Sequence, residues 1–372
     1  MKIIFQREQL REAFDAVAKV PQSRSPRPVL QNVLLTAGMD GVHLLAQNDG
    51  CALRLRIDGC ATVETAGDVL LSPSRFGSIL KECKDEKLAV TVDGRGLQVK
   101  ADRSTFKLPV ENAQDYPQPS FDGRATHWKL PAKALAVAIG RTAFCCDDET
   151  SRYALGGVYF ELSEAADLIR LVATDGRRMV VQECRAERDG EPSDGTVIVP
   201  LKSVRTIQSL CADDEGDAEF WIDGTSFFVR TSRGVVSARL LEGRFPEWQA
   251  VVPSLKGAVN LLLPIAALES CVRQAAVVCD RDLSRAIDWQ AADGTLNLSA
   301  RTAELGQATV ELTIPHCEER QVSLDHRYIL DYLASLGQTE NVTVALLGTD
   351  RPCVMSTEDG NQYVLMPLAK DK

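Results

Sequence analysis

Three times along this chain the same signals return in the same order, and this spacing constrains the fold more than any other feature. Alternating runs occur at Val42-His43-Leu44-Leu45-Ala46, Ile169-Arg170-Leu171-Val172-Ala173 and Leu296-Asn297-Leu298-Ser299-Ala300, each 127 residues after the last. Each follows an Asp or Asp-Gly turn and predicts a strand. Helix entries recur at Phe5-Gln6-Arg7, Leu130-Pro131-Ala132 and Leu263-Pro264-Ile265. In the latter two, Pro is expected at the first helical position, where its missing N–H costs nothing. Second helix entries stand at Pro73, Pro200 and Asp325. After them come hairpin signals: Val90-Thr91-Val92-Asp93-Gly94 with Leu97-Gln98-Val99, and Phe220-Trp221-Ile222-Asp223-Gly224 with Phe227-Phe228-Val229. Asp-Gly between alternating runs is a hairpin turn, and Val342-Thr343-Val344 with Cys353-Val354-Met355 is the third counterpart. Asp115-Tyr116-Pro117 and Arg244-Phe245-Pro246 close the first two copies. The 372 residues therefore divide into copies at 1–125, 126–253 and 254–372. Each holds two helices backed by antiparallel sheet, an α+β arrangement.

Six amphipathic segments follow, at 7–20, 72–84, 131–146, 200–211, 264–278 and 325–337. At 100° per residue their apolar stripes gather Leu10, Phe14 and Val17; Phe76, Ile79, Leu80 and Cys83; Leu135, Ala138, Ile139 and Thr142. The later three gather Val204, Ile207 and Cys211; Leu268, Cys271 and Ala275; Ile329, Leu333 and Leu336. Opposite each stripe stands a base: Lys19, Lys81, Lys133, Lys202, Arg273 or Arg327, with Arg75, Lys84, Arg141 and Arg205 on the flanks. The whole chain is acidic, with 42 Lys and Arg against 52 Asp and Glu and a net charge of −10. For any single Lys, a solvated face is the simpler account. Six at one helical phase point instead to a surface that attracts a polyanion through its phosphates, without base reading. Glu12, Asp15 and Glu269 share that side, and the third copy is weakly charged. Copies built of sheet also leave edge strands, which invite association. Head-to-tail pairing into a closed ring removes them, and two chains would supply six copies.

Motifs for catalysis are missing. No G-x-x-x-x-G-K-[ST], no G-x-G-x-x-G after a strand and no G-x-S-x-G occurs. The four His (43, 127, 316, 326) lack metal-ligand spacing. Asp147-Asp148-Glu149 is a dense carboxylate run that suits either a loop cap or a Mg²⁺ ion in a nuclease. Asp213-Asp214-Glu215 looks like a turn after a helix. The expectation is no catalytic residue, no metal and no cofactor. Eleven Cys without a C-x-x-C read as small buried hydrophobes, and the adjacent Cys145 and Cys146 suit neither a zinc knuckle nor an easy disulfide. The first twelve residues carry five charges and no apolar core of a signal peptide. No run approaches the ~18 apolar residues of a membrane span. A cytoplasmic chain with reduced thiols and no membrane partner is expected.

Longer motifs carry a family resemblance. Arg152-Tyr153-Ala154-Leu155-Gly156-Gly157-Val158-Tyr159-Phe160-Glu161, Leu171-Val172-Ala173-Thr174-Asp175-Gly176-Arg177-Arg178-Met179, Val197-Ile198-Val199-Pro200, Leu240-Leu241-Glu242-Gly243-Arg244-Phe245-Pro246-Glu247-Trp248 and Tyr363-Val364-Leu365-Met366-Pro367-Leu368 stand in order over the chain. Together they resemble the bacterial DNA polymerase III beta subunit family, the sliding clamps. The resemblance implies three clamp domains and a head-to-tail homodimeric ring around duplex DNA. It implies a processivity factor that tethers the replicative DNA polymerase and also meets a clamp loader and repair proteins through short peptides. The peptide groove would fall on Leu155, Thr174, Gly176, Arg177, Arg178, Met179, Pro246, Val251, Val364, Leu365, Met366, Pro367 and Leu368. Family DNA contacts carry over to Arg24, Lys202 and the loops containing Glu149, Arg152, Tyr153 and Arg281. Lys81, Lys133, Arg141 and Arg205 join them from the helix faces. The chain departs from the family at Ala250, where a base is common, at the Cys145-Cys146 pair, and in continuing through Ala369 to Lys372. A monomeric three-repeat scaffold that binds peptides without encircling DNA is the alternative reading.

Overall fold

The computed structural model describes residues 1–93, 96–122, 127–147, 154–163, 167–190, 195–280 and 285–368. Its helices are α1 (Arg7–Val17), α2 (Pro73–Glu82), α3 (Ala132–Gly140), α4 (Leu201–Cys211), α5 (Ile265–Ala275) and α6 (His326–Ser335). Every apolar stripe read from the sequence is buried, from Leu10, Phe14 and Val17 in α1 to Ile329 and Leu333 in α6 with Leu336 just beyond it. The prolines differ from expectation. Pro73 opens α2 as its first residue. Pro131 and Pro264 instead close strands, paired with Asp217 and Asn341, and α3 and α5 begin one residue later. A terminal strand position tolerates the missing N–H as well as a first helical turn does. The helices are also shorter than their hydrophobic periodicity suggests. Lys19 lies in the turn after α1, and α3 stops at Gly140, a weak helix former, before a 3₁₀ turn at Ala143–Cys145.

Among the described residues, four antiparallel sheets carry the helices. A five-stranded sheet holds, in order, Ala61–Thr65, Lys2–Gln6, Lys87–Asp93, Gly96–Lys100 and Thr105–Leu108. A nine-stranded sheet runs Glu187–Asp189, His127–Pro131, Asp217–Asp223, Ser226–Arg230, Gly234–Arg239, Cys51–Arg56, Gly41–Gln47, Val33–Gly38 and Gly67–Leu71. The eight-stranded sheet runs Gly195–Pro200, Gly157–Ser163, Leu168–Thr174, Arg178–Arg185, Asn361–Leu365, Cys353–Ser356, Asn341–Leu346 and Val259–Pro264. The four-stranded sheet orders Gly306–Thr313, Thr295–Thr302, Ala286–Ala292 and Arg320–Asp325.

The copies seen in sequence are therefore not separate packing units. Gly234–Arg239 of the middle copy pairs with Cys51–Arg56 of the first, placing Val236 opposite Leu53. Arg178–Arg185 pairs with Asn361–Leu365 of the third, placing Met179 opposite Val364. Two compact units result. One comprises Met1–Ala136, Ala186–Pro192 and Lys202–Leu240; the other comprises Val137–Arg185, Ser193–Leu201 and Leu241–Lys372. The first unit's junction core gathers Leu34, Leu45, Tyr116, Phe121, Trp221 and Phe228, with Trp221 stacked on Phe228 at 5.1 Å. The second unit's gathers Leu155, Val172, Met179, Phe245, Trp248 and Val364, with Tyr159 stacked on Phe245 at 4.7 Å. Among the described residues no helix is long and apolar enough to cross a membrane.

Candidate functional site

Two antiparallel strands and the turn between them position many of the residues expected to line a groove in the second unit. Leu168–Thr174 and Arg178–Arg185 are joined by Asp175-Gly176-Arg177. The Asp175 carboxylate accepts from the backbone N–H of Arg177 at 2.9 Å and of Arg178 at 3.0 Å, an Asx turn. Gly176 takes φ of +84°, where a side chain would be strained. The Thr174 hydroxyl donates to the Arg178 carbonyl at 2.7 Å and accepts from Gly176 N–H at 3.1 Å. This rigid turn receives the end of the last strand: Met366 N–H donates to the Arg177 carbonyl at 3.0 Å.

Beside the turn lies an apolar wall. Leu155, Met179 and Val364 form one buried cluster with Phe245 and Trp248. Trp248 donates its indole N–H to Glu161 at 3.1 Å, so the Arg244-Phe245-Pro246-Glu247-Trp248 segment is pinned at both ring positions. Pro246 is half-buried, while Val251 and Met366 are exposed apolar side chains. Pro367 and Leu368 are half-buried, and Leu368 N–H donates to Ser323 at 2.8 Å. Leu365 is the exception among the expected lining residues. Side chains alternate along a strand, so Leu365, buried and in register with Arg178 and Cys353, faces away from the side on which Val364 meets Met179. Phe245 and Trp248 were not among the expected groove residues, although they stand in the motif that closes the middle copy.

The two arginines of the turn separate sharply. Arg177 is exposed, with the Tyr328 hydroxyl beside it holding its guanidinium above the ordinary pKa. Arg178 is folded under. It donates to Asp175 at 2.9 Å, Asp331 at 2.7 Å and the Phe144 carbonyl at 3.2 Å, and its guanidinium lies 4.3 Å over the Tyr328 ring. Charge-assisted bonds of this kind fix geometry, so Arg178 ties the turn to α6 and leaves Arg177 as the exposed member of the pair. The buried cluster thus sits beneath exposed Val251 and Met366 in a segment that also carries the exposed Arg177, a chemistry suited to an extended peptide with apolar anchors.

The expected DNA-facing bases fare differently. Arg24 is exposed in the loop after α1, Lys81 in the last turn of α2, and Lys202 and Arg205 on α4, and none makes an ion pair among the described residues. Lys133 is exposed but reaches Glu215 at 2.5 Å. In the third copy Arg273 is paired with Glu269 at 2.6 Å and Arg327 with Asp325 at 2.9 Å. Arg141 is a correction. Rather than flanking a basic helix face, it is buried beyond the end of α3, bonded to Asp359, to Thr339 at 2.9 Å and to Gln182 at 3.4 Å. With α3 ended at Gly140, the helical phase that placed Arg141 outward no longer applies. Glu149, Arg152, Tyr153 and Arg281 lie outside the described residues, as do Asp148 and Glu149 of the carboxylate run. No group of three or more metal-ligating side chains occurs among the described residues.

The profile of the DNA polymerase III beta subunit N-terminal domain matches residues 1–120, that of the central domain 129–247, and that of the C-terminal domain 251–369. The beta sliding clamp of Chlamydia pneumoniae is 26% identical over 370 residues, covering 99% of each chain. That of Pseudomonas putida is 27% identical over 373 residues, covering 99% of this chain and 100% of the relative. Among solved structures, the DNA polymerase sliding clamp of Bacillus subtilis superposes with a TM-score of 0.89 at 20% identity over 100% of both chains. The sliding clamp of Pseudomonas aeruginosa bound to griselimycin gives 0.88 at 25% identity over 99% of both.

Proposed function

Because this chain belongs to the DNA polymerase III beta subunit family and is a DNA sliding clamp, we propose that two copies close head to tail around duplex DNA, with the groove taking client peptides. The observation that carries the ring is a pair of open sheet edges. Thr105–Leu108 ends the five-stranded sheet of the first unit, and Gly306–Thr313 ends the four-stranded sheet of the second. Exposed apolar residues lie near both: Val110 just after the first, Leu305 just ahead of the second, and Val277 in the 3₁₀ turn Ala276–Val278 that packs against the second. An edge strand flanked by apolar side chains favours another strand, and pairing these two between copies gives a heterologous contact that closes as a two-chain ring.

Within such a ring, Arg24, Lys81, Lys133, Lys202 and Arg205 attract phosphates without reading bases. Screened surface charges hold DNA only loosely. Retention then comes from closure, and the clamp slides while Leu155, Met179, Val364, Val251 and Met366 hold the replicative polymerase, the clamp loader or repair proteins by a short peptide. The clamp contributes no catalysis of its own in this mechanism.

Sedimentation should give twice the 40.6 kDa chain mass at micromolar concentration. Protein loaded on nicked circular DNA should persist and then be lost when the circle is cut. A chain-sized monomer would favour the peptide-only scaffold, and equal persistence on linear DNA would reject topological retention.

A further inference from the structure

One cavity in the first unit contains none of the residues proposed to meet DNA or peptides. About 640 Å³ in volume, it lies among the loop after α1, the 3₁₀ turn Pro28–Gln31, the start of α2 and the residues that follow the strand Thr105–Leu108. That size falls within the roughly 300–1,000 Å³ of small-ligand sites. Pro21, Pro28, Pro73 and Pro109 stand on its wall, one from each of those four segments. A proline fixes its own φ and offers C–H faces without an N–H. The wall is therefore rigid before any ligand arrives, and its apolar surface suits a flat ring.

Two kinds of polar group line this wall. The start of α2 supplies donors. Arg75 is exposed, and its guanidinium makes no hydrogen bond or ion pair among the described residues. The Ser72 and Ser74 hydroxyls lie 3.3 Å apart. One donates to the other, and the second keeps its proton for another acceptor. The segments facing elsewhere in the chain supply acceptors. Asn32 is buried, and its Nδ2 donates to the Val29 carbonyl at 3.5 Å and to Glu111 at 3.3 Å. Its Oδ1 accepts nothing among the described residues. Gln31 turns its Nε2 to the Ser25 carbonyl at 3.5 Å, which leaves its Oε1 as an acceptor. Glu111 is exposed and forms no ion pair with Arg75, although both line the cavity. A cation and a carboxylate that share a cavity without meeting leave room for a ligand carrying the complementary groups on one frame.

We propose that this cavity binds a nucleotide whose base carries an exocyclic amino group, with the phosphate on Arg75 and the serine hydroxyls and the amino group on Asn32 and Glu111. A guanidinium fork matches phosphate oxygens and keeps its charge throughout the physiological pH range. The base lies against proline rings, and its amino N–H groups meet the unused acceptors. Thymine presents a carbonyl oxygen at that place, which the Glu111 carboxylate repels. The same chemistry occurs in a free nucleotide and at the phosphorylated end of a DNA strand.

The test is calorimetric titration of the full-length chain, at constant ionic strength, with deoxycytidine monophosphate, thymidine monophosphate and inorganic phosphate. Saturable binding of the cytosine nucleotide is expected, with the thymine nucleotide about tenfold weaker or more and inorganic phosphate weaker still. Arg75→Gln removes a guanidinium that has no partner, so the fold should persist while binding weakens about tenfold. Glu111→Gln keeps an oxygen for Asn32 and should also weaken binding. That sign is decisive, because losing a negative charge would tighten an anion held by general attraction alone. Arg185→Gln in the second unit should leave the affinity unchanged.

A second titration separates the two sources with an end-phosphorylated cytosine tetranucleotide. Affinity equal to or above that of the monophosphate, weakened by both variants, assigns the cavity to a strand end. A lower affinity assigns it to the free nucleotide. The proposal is overturned if neither compound binds saturably, if the cytosine and thymine nucleotides bind equally, if inorganic phosphate binds as well as the nucleotide, or if Glu111→Gln tightens binding.

Discussion

The two junctions between copies are built by one device and finished with different side chains. In each, a strand of the middle copy pairs with a neighbouring copy, Val236 opposite Leu53 in one and Met179 opposite Val364 in the other. In each, aromatic residues near the closing motif cover the seam. At the first junction, Tyr116, Phe121, Trp221 and Phe228 fill the space, and Arg54 and Arg230 stack on top. At the second, Leu155, Val172, Met179 and Val364 pack with Phe245 and Trp248, and Val251 and Met366 remain exposed. Over the first, Arg54 and Arg230 present charge, whereas at the second Val251 and Met366 present apolar side chains. Duplicating a scaffold thus preserves strand pairing while the side chains set over the seam diverge.

The largest expected consequence is in stability. Trp221 is fully buried and stacked, so Trp221→Ala should cost about 3–5 kcal/mol through lost burial and the cavity left behind. Trp248 sits at the edge of its cluster, 9% exposed, and Trp248→Ala should cost less. Urea unfolding of the two variants checks the difference, and equal losses would erase the distinction drawn between the junctions.

Much of this architecture was legible in the chain. Helical periodicity placed all six apolar stripes, because burial of one face dominates helix packing. Alternation and Asp-Gly turns located the hairpins. Strand pairing between copies was not legible, since Gly234–Arg239 against Cys51–Arg56 leaves no local signature beyond two apolar strands. Arg141 was misplaced because a helix was extended past Gly140, and only the tertiary network of Asp359, Thr339 and Gln182 explains where its charge goes. The motif segments carrying Leu155, Met179, Phe245 and Val364 do meet in one cluster, but the division of labour between Arg177 and Arg178 was not legible. Which of two adjacent arginines folds under depends on Asp331 and Phe144, far away in sequence.

A second consequence tests what the two units share. Burial pushes the thiols of Cys51 and Cys211 in the first unit up to about 11 and about 12, and those of Cys184 and Cys353 in the second up to about 11 and about 12. Unfolded thiols ionise near 9.0. Between that value and the folded ones, the unfolded chain binds fewer protons than the native chain, so stability falls as pH rises. Below pH 8 these groups are protonated in both states and contribute no slope. By pH 10 the loss should reach about 1 kcal/mol per thiol. Urea midpoints should fall from pH 8 to pH 10 for both units alike. A pH trend confined to one unit would show that the junction cores are not equivalently dry.

The smallest expected change is the most local. Met366 is exposed, and its fixed point is the backbone bond from its N–H to Arg177, not its side chain. Met366→Asp therefore removes nothing from the core and should shift stability by no more than about 0.5 kcal/mol. It places a carboxylate among the side chains proposed to meet a peptide, where an incoming Leu or aromatic anchor would have to desolvate it. Affinity for a fluorescent peptide carrying those anchors should drop about tenfold, read by polarisation. Arg177→Gln, which removes the exposed cation beside it and leaves Arg178 clamped to Asp175 and Asp331, should weaken an acidic peptide more than a neutral one. If both variants bind as the parent does, the groove is not the peptide site, and the second junction has lost the distinction that its exposed apolar side chains were argued to confer.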